Sequence, residues 1–283
     1  MNGIENKAML VSQSISVWTA RRFDRKVTSE VAVSHNTTDK AGRYNKNLLP
    51  LDAPSYKAIV TASGEARTAH YSQTLPWSDE GSRILPAKNY LAYNDVMRVK
   101  KQNFESLVQS FIVDYPYTRD NALRVLNGLG NVADYPDSSV IGEKFSFTVK
   151  FLPFPTADDF RVTLQAVDVD AIKATIQADT QDALKVAMRD PFKRLHEAVS
   201  RMQMRLADPD AIFRDSLVNN IAELCQIIPN LNLTGDPELD ALAKQIEAEL
   251  IVSPDSLRAS PSVRGNVAAK AAKIQADLAG YME

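Results

Sequence analysis

The sequence predicts an α+β fold that is predominantly helical, with a small antiparallel β-sheet packed on long helices and a C-terminal helical hairpin or bundle. Two observations predict it. Beyond Asp168, apolar residues recur every three or four positions, the spacing of amphipathic helices. Three short segments instead alternate apolar with polar, the period of strands with one buried face.

The first strand is expected over 10–19, where Val11, Ile15 and Val17 alternate with Ser12, Ser14 and Ser16, and Trp18 lies on the serine side. The basic group Arg21, Arg22, Arg25 and Lys26 follows, with a short helix over 24–34. Residues 36–54 read as loop, because Gly42, Pro50 and Pro54 interrupt regular structure. A helix is expected over 55–72, then a turn-rich connection from Pro76 to Pro86. The next helix spans 88–114 on a stripe of Tyr90, Asn94, Met97, Lys101, Phe104, Val108 and Phe111. Pro116 is expected to end it, and a further helix over 118–129 stops at Gly128-Leu129-Gly130.

Phe145, Phe147, Val149 and Phe151 alternate with polar residues and predict a strand over 144–153. Phe160, Val162 and Leu164 predict another over 160–164, across a loop holding Pro153, Pro155 and Asp158-Asp159. From Asp168 the stripe Ile172 to Leu206 predicts a long helix that Pro191 should kink or divide. Phe213 to Ile228, Leu239 to Leu250 and Val263 to Tyr281 predict three more, the middle one opened by Asp236-Pro237 as cap and first-turn proline. Residues 253–262, with Pro254 and Pro261, are the best linker candidate. These elements suggest a mixed α+β region over 1–167 and an all-helical region over 168–283, with a shared core compatible with the pattern.

The 283 residues are 45% hydrophobic and 24% charged, the composition of a globular protein rather than a disordered or fibrous one. Thirty-three basic and thirty-five acidic residues leave a net charge of -2, which announces neither a nucleic-acid nor a membrane partner. The charge is uneven: residues 1–60 carry nine basic and five acidic side chains, a net of +4, and 207–283 carry six and twelve, a net of -6. The N-terminus lacks the layout of a signal peptide and no stretch approaches the length of a membrane span, so a cytoplasmic protein is expected. The single cysteine, Cys225, on an apolar helix face, reads as a buried inert thiol.

No pattern for bond-making chemistry stands out. Glycine-rich phosphate loops, His-Glu-x-x-His and nucleophile elbows are missing, and His35, His70 and His196 lack ligand spacing, so no metal or cofactor is expected. His70 with Asp79 and Glu80 offers an acid–base or metal constellation, but a helix-end histidine and a capping carboxylate explain the same letters. Asp134 to Asp137 and Asp158-Asp159 read as turns. The 39–46 loop with Arg43 and Lys46, together with Arg21, Arg22, Arg25 and Lys26 and with Tyr44 or Trp18 for stacking, forms a weak nucleic-acid pattern.

Several segments are distinctive: Ile15-Ser16-Val17-Trp18-Thr19-Ala20-Arg21, Ala41-Gly42-Arg43-Tyr44-Asn45-Lys46, Thr74-Leu75-Pro76-Trp77-Ser78-Asp79 and Arg83-Ile84-Leu85-Pro86. Glu143-Lys144-Phe145-Ser146-Phe147, Asp158-Asp159-Phe160-Arg161-Val162 and Ile212-Phe213-Arg214-Asp215-Ser216-Leu217 join them. Together they resemble a family of uncharacterised tailed-phage proteins. The resemblance covers most of the chain and is weakest at the C-terminus. No established activity travels with the family. Its members are encoded near a MoxR-like AAA+ ATPase and a von Willebrand A-type protein, which implies an adaptor role in the host cytoplasm.

The expected function is therefore non-enzymatic: a phage-encoded protein working through contacts with a protein, either the AAA+ ATPase or a host protein. Nucleic-acid binding through the basic N-terminal segments is the first alternative, and inhibition of a host defence system is another. A homo-oligomer is compatible with the helical stripes. The candidate binding residues are Trp18, Arg21, Arg22, Arg43, Tyr44, Lys46 and Trp77; in the competing reading, the aromatics Trp18, Tyr44 and Trp77 only cover the small sheet.

Overall fold

A computed structural model describes residues 4–49, 53–77, 81–155 and 166–282. The fold is α+β and predominantly helical. In chain order the elements are β1 (Ala8–Ser16), β2 (Arg21–Phe23), α1 (Arg25–Ser34), β3 (Asn45–Asn47), α2 (Pro54–Ser72), β4 (Leu75–Pro76) and β5 (Ser82–Pro86). Then follow α3 (Tyr90–Leu126), β6 (Ser146–Leu152), α4 (Ala166–Ala207), α5 (Ser216–Leu231), α6 (Pro237–Leu250), α7 (Pro254–Ala259) and α8 (Pro261–Ala279). The larger sheet has the order β4-β5-β1-β6, and β2 pairs antiparallel with β3 in a separate ribbon.

The chain divides into two compact units, and the division is not at residue 168. One comprises 1–12, 70–94 and 150–283; the other comprises 13–69 and 95–149.

In the first unit, β1 pairs antiparallel with β5 from Ala8 opposite Pro86 to Ser12 opposite Ser82, and β4 adds to the other edge of β5. The connection expected over 76–86 is thus partly strand. Its signal was hidden because Ile84, Leu85 and Pro86 are all buried and do not alternate. The strand expected over 160–164 lies outside the described residues. α4 packs along α8, and α5 packs on both α4 and α6. Their shared core contains Leu195, Val199, Met202, Ile221, Cys225, Ile228, Leu242, Ile246, Val267, Ala271 and Ile274. Pro191 does not divide α4. Phe192 and Leu195 keep the buried stripe in register, and Arg194 bridges back one turn to Asp190 at 2.7 Å. Residues 253–262 are no linker: Pro254 opens the short helix α7, whose Leu257 is 1% exposed. Burying one such side chain contributes about 1.5–3 kcal/mol, enough to hold a single helical turn in place.

In the second unit, the part of α3 beyond Asp95 lays Met97, Phe104, Val108, Phe111, Tyr115 and Ala122 along one buried face. Asn94 and Lys101, expected on that stripe, are exposed. Pro116 does not end the helix. It sits on the exposed face, and the buried positions Tyr115 and Ala122 continue across it. A mid-helix proline costs about 3 kcal/mol, which packing on the far side offsets. Phe104 meets Phe147 of β6 at 5.7 Å between ring centres, and Phe111 meets Phe145 at 5.6 Å. The period-two signal of β6 weakens along its length, and Phe151 is 39% exposed. Three tyrosine hydroxyls tie loops to this core: Tyr56 donates to the Trp18 carbonyl, Tyr115 to Pro136 and Tyr135 to Leu48, at 2.6–2.8 Å.

Candidate functional site

The basic group of the sequence gathers around α1 and the β2–β3 ribbon of the second unit. Asp24 caps α1, its Oδ1 accepting from the Val27 amide at 3.1 Å. The helix ends through Asn36 at φ 51°, where the Thr37 amide reaches the Ala32 carbonyl. The chain then folds back along α1. Thr28 Oγ1 donates to the Asp24 carbonyl at 2.7 Å and accepts from the Tyr44 amide at 3.0 Å, and Ser29 donates to Asp39 at 2.8 Å. The 37–44 segment is therefore pinned to the helix. Between them lies a groove of about 320 Å³, lined by Val31, Ala32, Ala41, Gly42 and Tyr44, with His35 and Arg43 also on its walls.

β2 and β3 place Arg22 directly opposite Lys46. Like charges facing each other across a ribbon repel, and Asp134 separates them, taking Arg22 at 3.5 Å and Lys46 at 2.8 Å. Lys46 also meets Asp24 at 3.1 Å and donates to the Leu129 carbonyl at 2.8 Å. An ammonium has three donors, and all three are engaged. Burial pulls the Lys46 pKa down, but hydrogen bonds and charge from Asp134 and Asp24 outweigh it, so the net shift is upward. The Val27 amide, then Lys46, hold the Asp24 carboxyl below its usual value.

The expected binding residues thus separate. Lys46 is 6% exposed and fully paired, so it is a structural cation and not a contact for phosphate or a partner. Trp18 is half-buried and packs edge-on to Tyr115 at 5.9 Å and Tyr56 at 6.4 Å, as a core residue of the second unit. Trp77 belongs to the first unit, where its ring meets Phe154 at 5.0 Å. Tyr44 remains 39% exposed at the groove. Arg43 lies 4.6 Å over the exposed ring of Phe23, a cation–π contact. Arg21, Arg25, Lys40 and Arg43 make no ion pair with any described residue; Arg43 stands on the groove wall, while Arg21 lies on β2, Arg25 opens α1 and Lys40 lies in the 37–44 segment. Phe23, Val31 and the groove itself were not singled out in the sequence; the available signal was Phe23 between Arg22 and Arg25, followed by Val27 and Val31 one helical turn apart.

Of the acid–base constellation, Asp79 and Glu80 lie outside the described residues. His70 is 3% exposed, and its Nδ1 shares a 2.8 Å hydrogen bond with the Tyr93 hydroxyl. Burial, then the charge of Arg83, push its pKa down to about 4. Burial likewise raises the Cys225 thiol to about 12. Among the described residues no cluster of His, Cys, Asp and Glu has the geometry to hold a metal ion, and no helix is long and apolar enough to cross a membrane. Comparison of the chain with family models, with curated proteins and with solved structures gave no match.

Proposed function

We propose that the chain works through protein–protein contacts, with the surface around α1 as its recognition face. The observation that carries this reading is the pinned, largely apolar groove with Arg43 on its wall, on a helix and segment that also carry the exposed cations Arg25 and Lys40. A preformed pocket that seats an apolar side chain, with exposed cations on the same elements to steer and orient, suits a partner segment carrying an apolar anchor beside acidic residues. The engagement of Lys46 weighs against a phosphate-tracking surface, since it removes one of the cations that reading needs. The resemblance to tailed-phage proteins supplies the candidates: a MoxR-like AAA+ ATPase, for which this chain would be an adaptor, or a host protein, including a component of host defence.

Co-purification from phage-infected cells, followed by size-exclusion with the neighbouring ATPase, tests the reading. A complex formed by the parent and lost in Arg21→Glu/Arg25→Glu and in Ala32→Trp, which fills the groove, supports it. Absence of any complex with the ATPase and with other phage or host proteins sinks it. A gel shift on single-stranded DNA or RNA that weakens steeply with salt, and vanishes in Arg21→Glu/Arg25→Glu, would transfer the surface to nucleic acid instead.

A further inference from the structure

The first unit holds a second pocket, which does not depend on the proposed function. It has a volume of about 340 Å³ and lies between the C-terminal part of α4 and the first turns of α5. Phe213 and Ile221, both buried, supply apolar surface. Arg201 and Arg205, one turn apart on α4, and Arg214, just before α5, supply cations, and Asn220 adds an amide.

The three arginines are unusual for their surroundings. They sit in the acidic half of the chain, yet none makes an ion pair or a side-chain hydrogen bond with any described residue. Arg201 and Arg205 are like charges at i and i+4, which repel on a helix unless something neutralises them. Two other arginines nearby are structural and show the contrast. Arg264 gathers the Leu206 and Arg205 carbonyls at 3.1 and 2.9 Å, at the end of α4, together with those of Asp208 and Ala211. Arg258 pairs with Asp215 and with Asp255. Both also lie over the Phe213 ring, Arg258 at 5.2 Å and Arg264 at 5.5 Å. Asp215, the residue preceding α5, points its carboxylate to Arg258 and makes no side-chain capping bond to the helix. The positive end of α5 therefore opens beside the pocket without a carboxylate cap.

We infer that this pocket is a binding site for an organic phosphate, with the phosphate among Arg201, Arg205 and Arg214 and an aromatic or apolar body against Phe213 and Ile221. Guanidinium groups match phosphate oxygens in pairs, and three of them around one pocket suit a dianion better than a monocarboxylate. The volume lies at the lower end of small-molecule sites and suits a body of one ring.

Amide chemical-shift titration of the full chain with phenyl phosphate, inorganic phosphate and benzoate tests this. Phenyl phosphate is expected to shift the resonances of 198–221 and to bind about tenfold tighter than either other probe. Arg201→Gln/Arg205→Gln should weaken it at least about tenfold, while Arg189→Gln, the same kind of substitution elsewhere on α4, leaves it unchanged. Should the double variant fail to fold, Arg214→Gln alone must produce the weakening. Shifts absent at these residues, benzoate binding as tightly as phenyl phosphate, or affinity indifferent to the arginines would each overturn the assignment.

Discussion

Replacing Lys46 by methionine separates a structural cation from a binding one. The substitution keeps most of the side chain's length and deletes its charge. In the folded chain the Lys46 side chain is 7% exposed, between carboxylates that are 13% and 14% exposed. Stranding the partners of a buried ion pair costs about 3–5 kcal/mol. Here the carboxylates border surface loops and gain water on small movements, so screening brings the loss to about 2–3 kcal/mol. That lowers the unfolding midpoint by about 4–12 °C for a chain of this size. Circular dichroism melts and urea titrations of Lys46→Met measure it directly. Adding Asp24→Asn and Asp134→Asn should restore more than half, since asparagine still caps α1 and no charge is left facing another. Because the Lys46 pKa is raised on folding, its contribution is complete at neutral pH and disappears only as the pH climbs through the folded value. If Lys46→Met melted with the parent but lost a partner or nucleic acid, the structural assignment would be wrong.

Two further outcomes follow from buried groups. His70 stays neutral down to about pH 4 in the folded chain, whereas an unfolded histidine takes up its proton near pH 6.5. The unfolded state thus binds more protons in that window, and stability falls as the pH drops from about 6.5 to about 4, by roughly 2 kcal/mol after allowance for partial solvent screening. Urea midpoints measured across this range should slope less in His70→Gln, and equal slopes in both proteins would refute the origin. Cys225 should resist alkylation by iodoacetamide at pH 8 until the chain unfolds, because burial holds the thiol protonated. Labelling of the folded protein at the rate of a free thiol would contradict its placement in the helical core.

Long periodic segments were legible and short ones were not. The stripes over 168–281 led directly to α4, α5, α6 and α8, because a helix that buries one face repeats its apolar residues whatever it packs on. The prolines misled. Pro116 read as a stop and Pro191 as a kink or division, yet α3 and α4 pass through both, since apolar contacts on each side outweigh one missing hydrogen bond. β2, β3 and β4 have two or three residues each, too few to display a period, and exist because a partner strand supplies their hydrogen bonds.

At the candidate surface, composition sufficed to place Arg21, Arg22 and Arg43 among the residues to watch. It did not distinguish them from Lys46. Side chains of one charge look alike along a chain, and their roles are assigned by carboxylates that arrive from elsewhere: Asp134, from a single 3-10 turn, captures Lys46 and leaves Arg43 in solvent. The arginines of the α4–α5 pocket were equally silent, being ordinary polar positions on amphipathic helices. Local order in this protein is thus written in nearest-neighbour patterns, because backbone hydrogen bonding and one-sided burial act within a few residues. Which charges are neutralised and which are left for a ligand depends on distances between segments far apart in the chain, and those distances exist only after folding.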